Sequence, residues 1–403
     1  MKTILFIITI LLFSQMTEAQ QNNNSYDQLW KQVQKLENEA LTKSALKVVE
    51  TISAKAKKEK NSPQIVKALL YSSKYALTLE EDAQLKIVND FRSEIEKAEF
   101  PTKNVLESYL ANMHWQFFQN NRYQFYNRTK TETKVDSVDF RTWDLTTLFH
   151  EIDIHFEKSL ENQDKLKSVQ AFEFDVILNE QPNSKDYRPT LFDLLAHTAL
   201  AFYKTNETNI TRPADKFEID NPEILCEASN FLDLKITTED KTSLQAKALK
   251  IYQKLLWQHL PSARPYRFAE VDIERLLFIY QNATFDNKEE RLLEVLQNST
   301  NSGKGGLAAT LYTYEIAALY QQMGQTYNPK GKTEHRWKLK EAIELCNEVI
   351  KAAPDSRGAD KCKALKSQIL AQTLRLTNEQ FVPVNKPSRL LVNYKNHDKL
   401  QLS

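Results

Sequence analysis

Glycine is nearly missing from this chain: six residues in 403, where an ordinary protein carries about 7%. Sandwiches, barrels and nucleotide-binding α/β folds spend glycine on tight turns and phosphate loops, because glycine alone enters left-handed backbone without a Cβ penalty. A chain this poor in glycine is expected to be mostly α-helical. Charge constrains partners more than fold. Lys and Arg number 54 against 53 Asp and Glu, and a net charge of +1 leaves no electrostatic footprint for a nucleic acid. With 20 Phe, 16 Tyr and 5 Trp the chain has the material for a large core, which argues against disorder.

The N-terminus carries an address. Met1-Lys2-Thr3 precedes an apolar run from Ile4 to Phe13, and Ser14 to Ala19 follows. One basic residue, a short apolar core and a small residue before a polar start make a secretory signal peptide, with cleavage expected after Ala19. The run is too short to cross a bilayer, which takes about 20 apolar residues. The expected mature start, Gln20, is not the Cys of a bacterial lipoprotein. A periplasmic or secreted product follows, with no membrane span after signal cleavage. Cys226, Cys346 and Cys362 are too few and too scattered for a disulfide framework. Their odd number leaves at least one free thiol or an intermolecular bridge, and the reading adopted is buried, inert thiols.

The body is one amphipathic helix after another. Leu29, Val33, Leu36 and Ala40 share a face at helical spacing, and so do Ala45, Val48, Val49, Ile52 and Ala56 after a break at Leu41 to Lys43. Ser62-Pro63 reads as a helix start with Ser as N-cap. Phe100-Pro101 stops a helix marked by Leu85, Val88, Phe91 and Ile95. Thr190 to Asp193 reads as a capped start, and Ser243 to Trp257 as a helix. Near the C-terminal end, helices are expected over 306–323, 337–353 and 358–374. The spacing of Ala342, Cys346 and Pro354 resembles the second helix of a tetratricopeptide repeat. The expected fold class is all-α: a tetratricopeptide-like helical-hairpin superhelix, or α-solenoid, over residues 20–376. Polar breaks at Lys130–Asp139, Thr205–Pro222 and Pro261–Pro265 mark where the stack is expected to bend or carry insertions.

The last segment, 377–403, changes character. Phe381 to Pro387 holds two Pro and no helical period. Arg389 to Tyr394 is β-rich, Lys395 to Asp398 makes a turn, and Lys399 to Leu402 restarts the alternation. This reads as a linker and the first strands of an incomplete β-domain that continues past Ser403; a small hairpin packed on the last helices is the alternative.

No residue set earns a catalytic, cofactor or metal role. His150 and His155 flank a sequence like a zinc helix, but H-E-x-x-H needs a gap of four. A gap of five turns the rings apart by roughly 140°. One surface and one packed histidine are expected. Gly303-Lys304-Gly305-Gly306 lacks the Walker pattern and reads as an inter-helix loop. Trp115, Phe117, Phe118, Tyr123, Phe125 and Tyr126, with Arg122 and Arg128, could stack nucleic-acid bases, yet export and neutral charge favour a core or helix–helix interface.

Several stretches are similar to the N-terminal helical region of bacterial alpha-2-macroglobulin-like proteins. They are Ser44-Ala45-Leu46-Lys47-Val48-Val49-Glu50, Ala76-Leu77-Thr78-Leu79-Glu80-Glu81-Asp82, Phe140-Arg141-Thr142-Trp143-Asp144-Leu145, Tyr187 to His197, and Val271-Asp272-Ile273-Glu274-Arg275-Leu276. The resemblance covers essentially the whole mature chain. It implies a helical leader followed by macroglobulin β-domains, in a protein that traps or inhibits endopeptidases through a bait segment and, in many members, a Cys–Gln thioester. The thioester pattern C-G-E-Q is absent, no bait segment can be placed, and the three Cys take no thioester role. Inhibition would belong to the longer protein, with a protease or cell-envelope protein as partner. The alternative is a stand-alone periplasmic helical-repeat scaffold that binds a protein.

Overall fold

The computed structural model describes residues 25–401 apart from 127, 129–135, 137, 206, 208–215, 261–263, 303–305, 332 and 382–383. The signal peptide read at 1–19, most of the Lys130–Asp139 break and Gly303 to Gly305 lie outside those residues. The chain is all-α, built of helical hairpins, with a short two-stranded antiparallel sheet near its C-terminal end. It forms two compact units, Met1–Ala214 and Asp215–Ser403. The division falls inside the polar stretch Thr205–Pro222.

The first unit contains α1 (25–38), α2 (Thr42–Lys58), α3 (Ser62–Leu79), α4 (Ala83–Lys97), α5 (Thr102–Tyr126) and α6 (Leu145–Ser159). The short α7 (Gln163–Ser168) and α8 (Ser184–Tyr187) follow, and then α9 (Leu191–Tyr203). Turns too short to cross the bundle join α1 to α5, so each helix folds back on the one before. These turns are made without glycine. Ala40 and Lys60 take left-handed φ of 57° and 53°. The amides just after them, Leu41 and Asn61, donate to the Leu36 and Ala56 carbonyls at 2.9 Å. Glycine is the usual occupant of that helix-ending position. The other positive-φ non-glycines among the described residues are all Asn: 162, 183, 287, 385 and 396. Asn tolerates that backbone best after glycine.

Burial in this unit starts from small residues. Ala45, Ala56 and Ala68 are fully covered and share one cluster with Tyr26, Val49 and Ile52. Alanine at a contact lets helix axes approach closely. Pro63 lies in the first turn of α3 as expected, but the cap is Asn61, one residue earlier than Ser62. Its Oδ1 accepts from the Gln64 amide at 3.3 Å, while the Ser62 hydroxyl accepts from Thr102 at 2.7 Å. Thr190 and Asp193 form the reciprocal capping box read from the sequence at α9. Such a cap is worth about 1 kcal/mol. Asn104 on α5 donates to the Ser159 and Glu161 carbonyls at 3.1 and 3.0 Å, serving the open end of α6.

The second unit contains α10 (Ala228–Asp233), α11 (Leu244–His259), α12 (Pro265–Asn282), α13 (Lys288–Ser302), α14 (Leu307–Gln325), α15 (Lys338–Ala352) and α16 (Arg357–Leu370). Ser243 and Ser356 cap α11 and α16 by accepting from Ala246 N at 3.1 Å and Ala359 N at 3.0 Å. A charged centre is sealed into this unit. Arg275 is fully buried and Asp272 nearly so. Their ion pair closes at 2.6 Å. Arg275 also donates to the Cys226 carbonyl at 2.8 Å and lies 4.4 Å over the Phe231 ring. The Tyr312 hydroxyl donates to the other Asp272 oxygen at 2.9 Å. Burial first, and that carboxylate second, raise the Tyr312 hydroxyl well above its ordinary pKa. Every strong donor and acceptor here has a partner, which is the condition under which a buried pair is tolerated.

The sheet differs from the hairpin read in the sequence. β1 (Thr373–Asn378) pairs antiparallel with β2 (Leu390–Lys395), with Thr373 opposite Lys395 and Asn378 opposite Leu390. The partner of 390–395 therefore precedes it, and Lys399 to Gln401 form no strand. The turn after β2 is real: Asn396 adopts φ 53°. It leads back to α16, where the Asn396 amide donates to the Ile369 carbonyl at 2.9 Å and the Ala371 carbonyl at 3.2 Å. The β segment thus begins at 373, ahead of the boundary read at 377, and α16 stops at Leu370 instead of Leu374. Leu374 stands four residues after Leu370, so it also fits a helical period and hides the switch to alternation.

Two substitutions test this packing. A Cβ on Gly358 would lie 2.7 Å from the Thr310 carbonyl oxygen on α14. Gly358→Ala is expected to destabilise by about 1–3 kcal/mol, more than the roughly 1 kcal/mol that alanine returns in helix propensity. Arg275→Met strands Asp272 and is expected to cost about 3–5 kcal/mol. Urea unfolding of each variant reads both, and unchanged midpoints would contradict the packing described.

Candidate functional site

The residues singled out by sequence pattern are gathered mostly into the core of the first unit. His150 is exposed on α6 and His155 is buried. His155 Nδ1 and Glu107 Oε2 lie 2.5 Å apart, tying α6 to α5. Nearby, the His114 ring lies nearly parallel to both Trp143 and His155, with ring centres 5.8 and 6.0 Å away. Phe140 meets it edge-on at 5.0 Å. His114 Nδ1 is 2.9 Å from the Leu110 carbonyl, and among the described residues its Nε2 has no hydrogen-bond partner. Burial pushes the His114 pKa down to about 3, against a smaller opposing effect of the Leu110 hydrogen bond; His155 and Arg92 add to the lowering and Glu151 opposes it. The ring is therefore neutral in the folded protein. No group of three or more His, Cys, Asp or Glu suited to a metal ion occurs among the described residues.

The aromatic run on α5 divides. Trp115, Phe118 and Phe125 are buried. Trp115 and Phe118 pack on Phe149 of α6 with ring centres at 5.8 and 5.0 Å. Tyr123 and Tyr126 face outward. The split follows a kink at Asn121 (φ −120°, ψ 19°), where the Asn side chain donates to the Phe117 carbonyl at 2.9 Å. The two arginines are engaged: Arg122 with Glu207 at 2.8 Å and Arg128 with the Trp143 carbonyl at 2.6 Å. The buried rings are a helix–helix core. Cys346 and Cys362 lie on α15 and α16 and are fully buried. Cys226 is half-buried in the bend before α10, not fully buried as read from the sequence.

Two clefts open on the first unit. One, of about 320 Å³, is lined by Trp30, Tyr71, Gln64 and Lys67. Lys67 Nζ sits 4.3 Å over the Trp30 ring, and burial lowers its pKa. The other is lined by Glu50, Glu80, Asp90 and Glu94 around Lys86, which pairs with Glu80 at 2.8 Å. Lys86 is held above its ordinary pKa mainly by that Glu80 hydrogen bond. Neither cleft converges an acid, a base and a nucleophile on a point where a substrate atom would sit.

The feature that faces solvent with unmet demands is the C-terminal sheet. Side chains alternate across a strand, and directly paired residues share a face. The register therefore puts Leu374, Leu376, Asn378, Leu390, Val392 and Tyr394 on one face, and Thr373, Arg375, Thr377, Leu391, Asn393 and Lys395 on the other. The first face is apolar and largely uncovered: Leu376 is 52% and Tyr394 62% exposed. The connecting loop adds Phe381 and Val384, at 86% and 89%. A two-stranded sheet also leaves both outer edges without ladder partners, and on its own is marginal in water. The β-rich pattern of Arg389 to Tyr394 announced a strand; its partner was hidden in the helical period, so the apolar face could not be read.

No helix is long and apolar enough to cross a membrane among the described residues. No family model, no curated protein and no solved structure matches the chain.

The buried imidazole predicts a pH dependence. Unfolded His114 takes a proton near pH 6.5 and folded His114 only near pH 3. Its contribution is intact above pH 6.5 and is lost as pH falls from there toward 3, at up to about 1.4 kcal/mol per pH unit. Urea midpoints measured from pH 7 to pH 4 should fall, and His114→Phe should flatten the decline by close to one proton. An identical slope in the variant would contradict the assignment.

Proposed function

We propose that the chain is the exported helical region of an alpha-2-macroglobulin-like protein, a protein-binding module with no catalytic step of its own. Endopeptidase inhibition belongs to the assembled protein. The observation that carries this reading is the C-terminal sheet, whose apolar face and open edges suit it to docking against β-domain strands. Covering that face would remove apolar surface from water at about 25 cal/mol per Å², and an edge supplies backbone hydrogen bonds to an added strand. The partner is thus a β-rich domain of macroglobulin type, and the helical hairpins are the rigid support behind the contact. A stand-alone helical-repeat scaffold is the second reading, favoured by the Trp30–Tyr71 cleft, which offers aromatic faces and the Lys67 charge to a protein segment.

Sedimentation velocity of the purified chain mixed with isolated macroglobulin-type β-domains tests the proposal. A complex is expected, weakened at least tenfold by the pair Leu376→Asp and Val392→Asp with far-UV circular dichroism unchanged. The chain alone is expected to leave endopeptidases active. Absence of any complex, together with a sheet that resists limited proteolysis, would overturn the docking role and favour the stand-alone scaffold.

A further inference from the structure

The fold gathers reactive chemistry at one place that the proposed function does not use, the contact of α15 with α16. Cys346 and Cys362 are both fully buried there, in one cluster with Ala317, Ala342, Val349 and Ala359. Three of the neighbours are Ala, and Val349, Leu365 and Ile369 complete the cluster. Ala342 stands one turn before Cys346, and Ala359 stands three residues before Cys362; both are fully covered. Gly358, beside Ala359, already rests against α14. Alanine and glycine at a helix contact bring backbones together, which is the condition for joining two Cβ atoms through sulfur.

The two thiols act on each other: Cys362 and the Lys366 charge outweigh burial and hold Cys346 below the ordinary thiol pKa, while Cys346 and burial push Cys362 above it. Cys226 is elsewhere, near Arg275 and Arg291, and burial pushes its thiol up.

We propose that Cys346 and Cys362 are a modification site: they form an intramolecular disulfide that staples α15 to α16, leaving Cys226 as the one free thiol. The oxidant is a small-molecule or protein disulfide such as glutathione disulfide. Before the helices dock, either thiol can lose its proton to solvent, attack one of the oxidant's sulfurs and expel a glutathione thiolate, giving a mixed disulfide. The other thiol then loses its proton, attacks that protein sulfur and expels the second glutathione thiolate. Two protein thiols are oxidised and one disulfide is reduced to two thiols. Both sulfurs are sealed once the helices dock, so exchange takes place before α15 and α16 close. Export determines only where in the cell the oxidant is met.

The test uses the full chain and needs no export. The protein is refolded from guanidinium in buffers of graded glutathione and glutathione disulfide, acid-quenched, unfolded, alkylated and weighed. The expected product carries one alkylated thiol, has lost two hydrogens, and yields a peptide linking 346 to 362. Cys226→Ser should give the same cross-link with no alkylated thiol. Oxidised protein should also unfold at higher denaturant than reduced protein. Three alkylated thiols across the whole series, or a bridge that includes Cys226, would overturn the proposal. A chain that is never exported would defeat the localisation reading and leave this result as it stands.

Discussion

No helix in this chain can bury its apolar stripe alone. That constraint organises everything else. Each stripe needs a neighbour at close range, and the neighbour nearest to hand is the next helix in sequence, brought back by a short turn. Small residues at the contacts set the spacing: Ala45, Ala56 and Ala68 in the first unit, Ala317, Ala342 and Ala359 in the second. Large aromatic residues then fill what is left between the helices, as Trp115, Phe118 and Phe149 do between α5 and α6. A core assembled this way grows by addition, and it ends wherever an element finds no neighbour. The C-terminal sheet is such an end.

The polar groups inside follow a stricter rule. Asp272, Arg275 and Tyr312 satisfy one another and two main-chain carbonyls. Glu107 is matched by His155. His114 departs from it, a ring held neutral by burial whose Nε2 has no hydrogen-bond partner among the described residues. The first two arrangements orient helices; the third makes stability sensitive to acid.

How much of this was legible depended on distance along the chain. Helix periods, the Thr190 box and the Ser243 cap are local, and sequence spacing exposes local features. Composition marked Thr205–Pro222 only as a bend or insertion in one stack over 20–376, and the division into two units there came from the structure. The strand at 373–378 was lost because Leu370 and Leu374 keep a helical interval while Leu374 and Leu376 begin a strand interval. Asp272 and Arg275, three apart on a helix, look like a solvated pair; their burial depends on residues 224, 226 and 312, which no pattern joins to them. The aromatic face of α5 could not be divided without the kink at Asn121. The same limit applies to Cys346 and Cys362, whose meeting is a property of two docked helices.

The guanidinium of Arg275 has a further consequence for how the second unit can be cut. Its acceptors at Ile224 and Cys226 belong to the irregular arm that precedes α10, and that arm is anchored again where the Thr284 amide donates to the Ile219 carbonyl at 2.9 Å. The arm is thus fastened to the bundle at two places and is not a loose tether leading up to it. A fragment trimmed to the first long helix at Leu244 would look complete in its helices and yet keep a cation in oil with half its ligands gone.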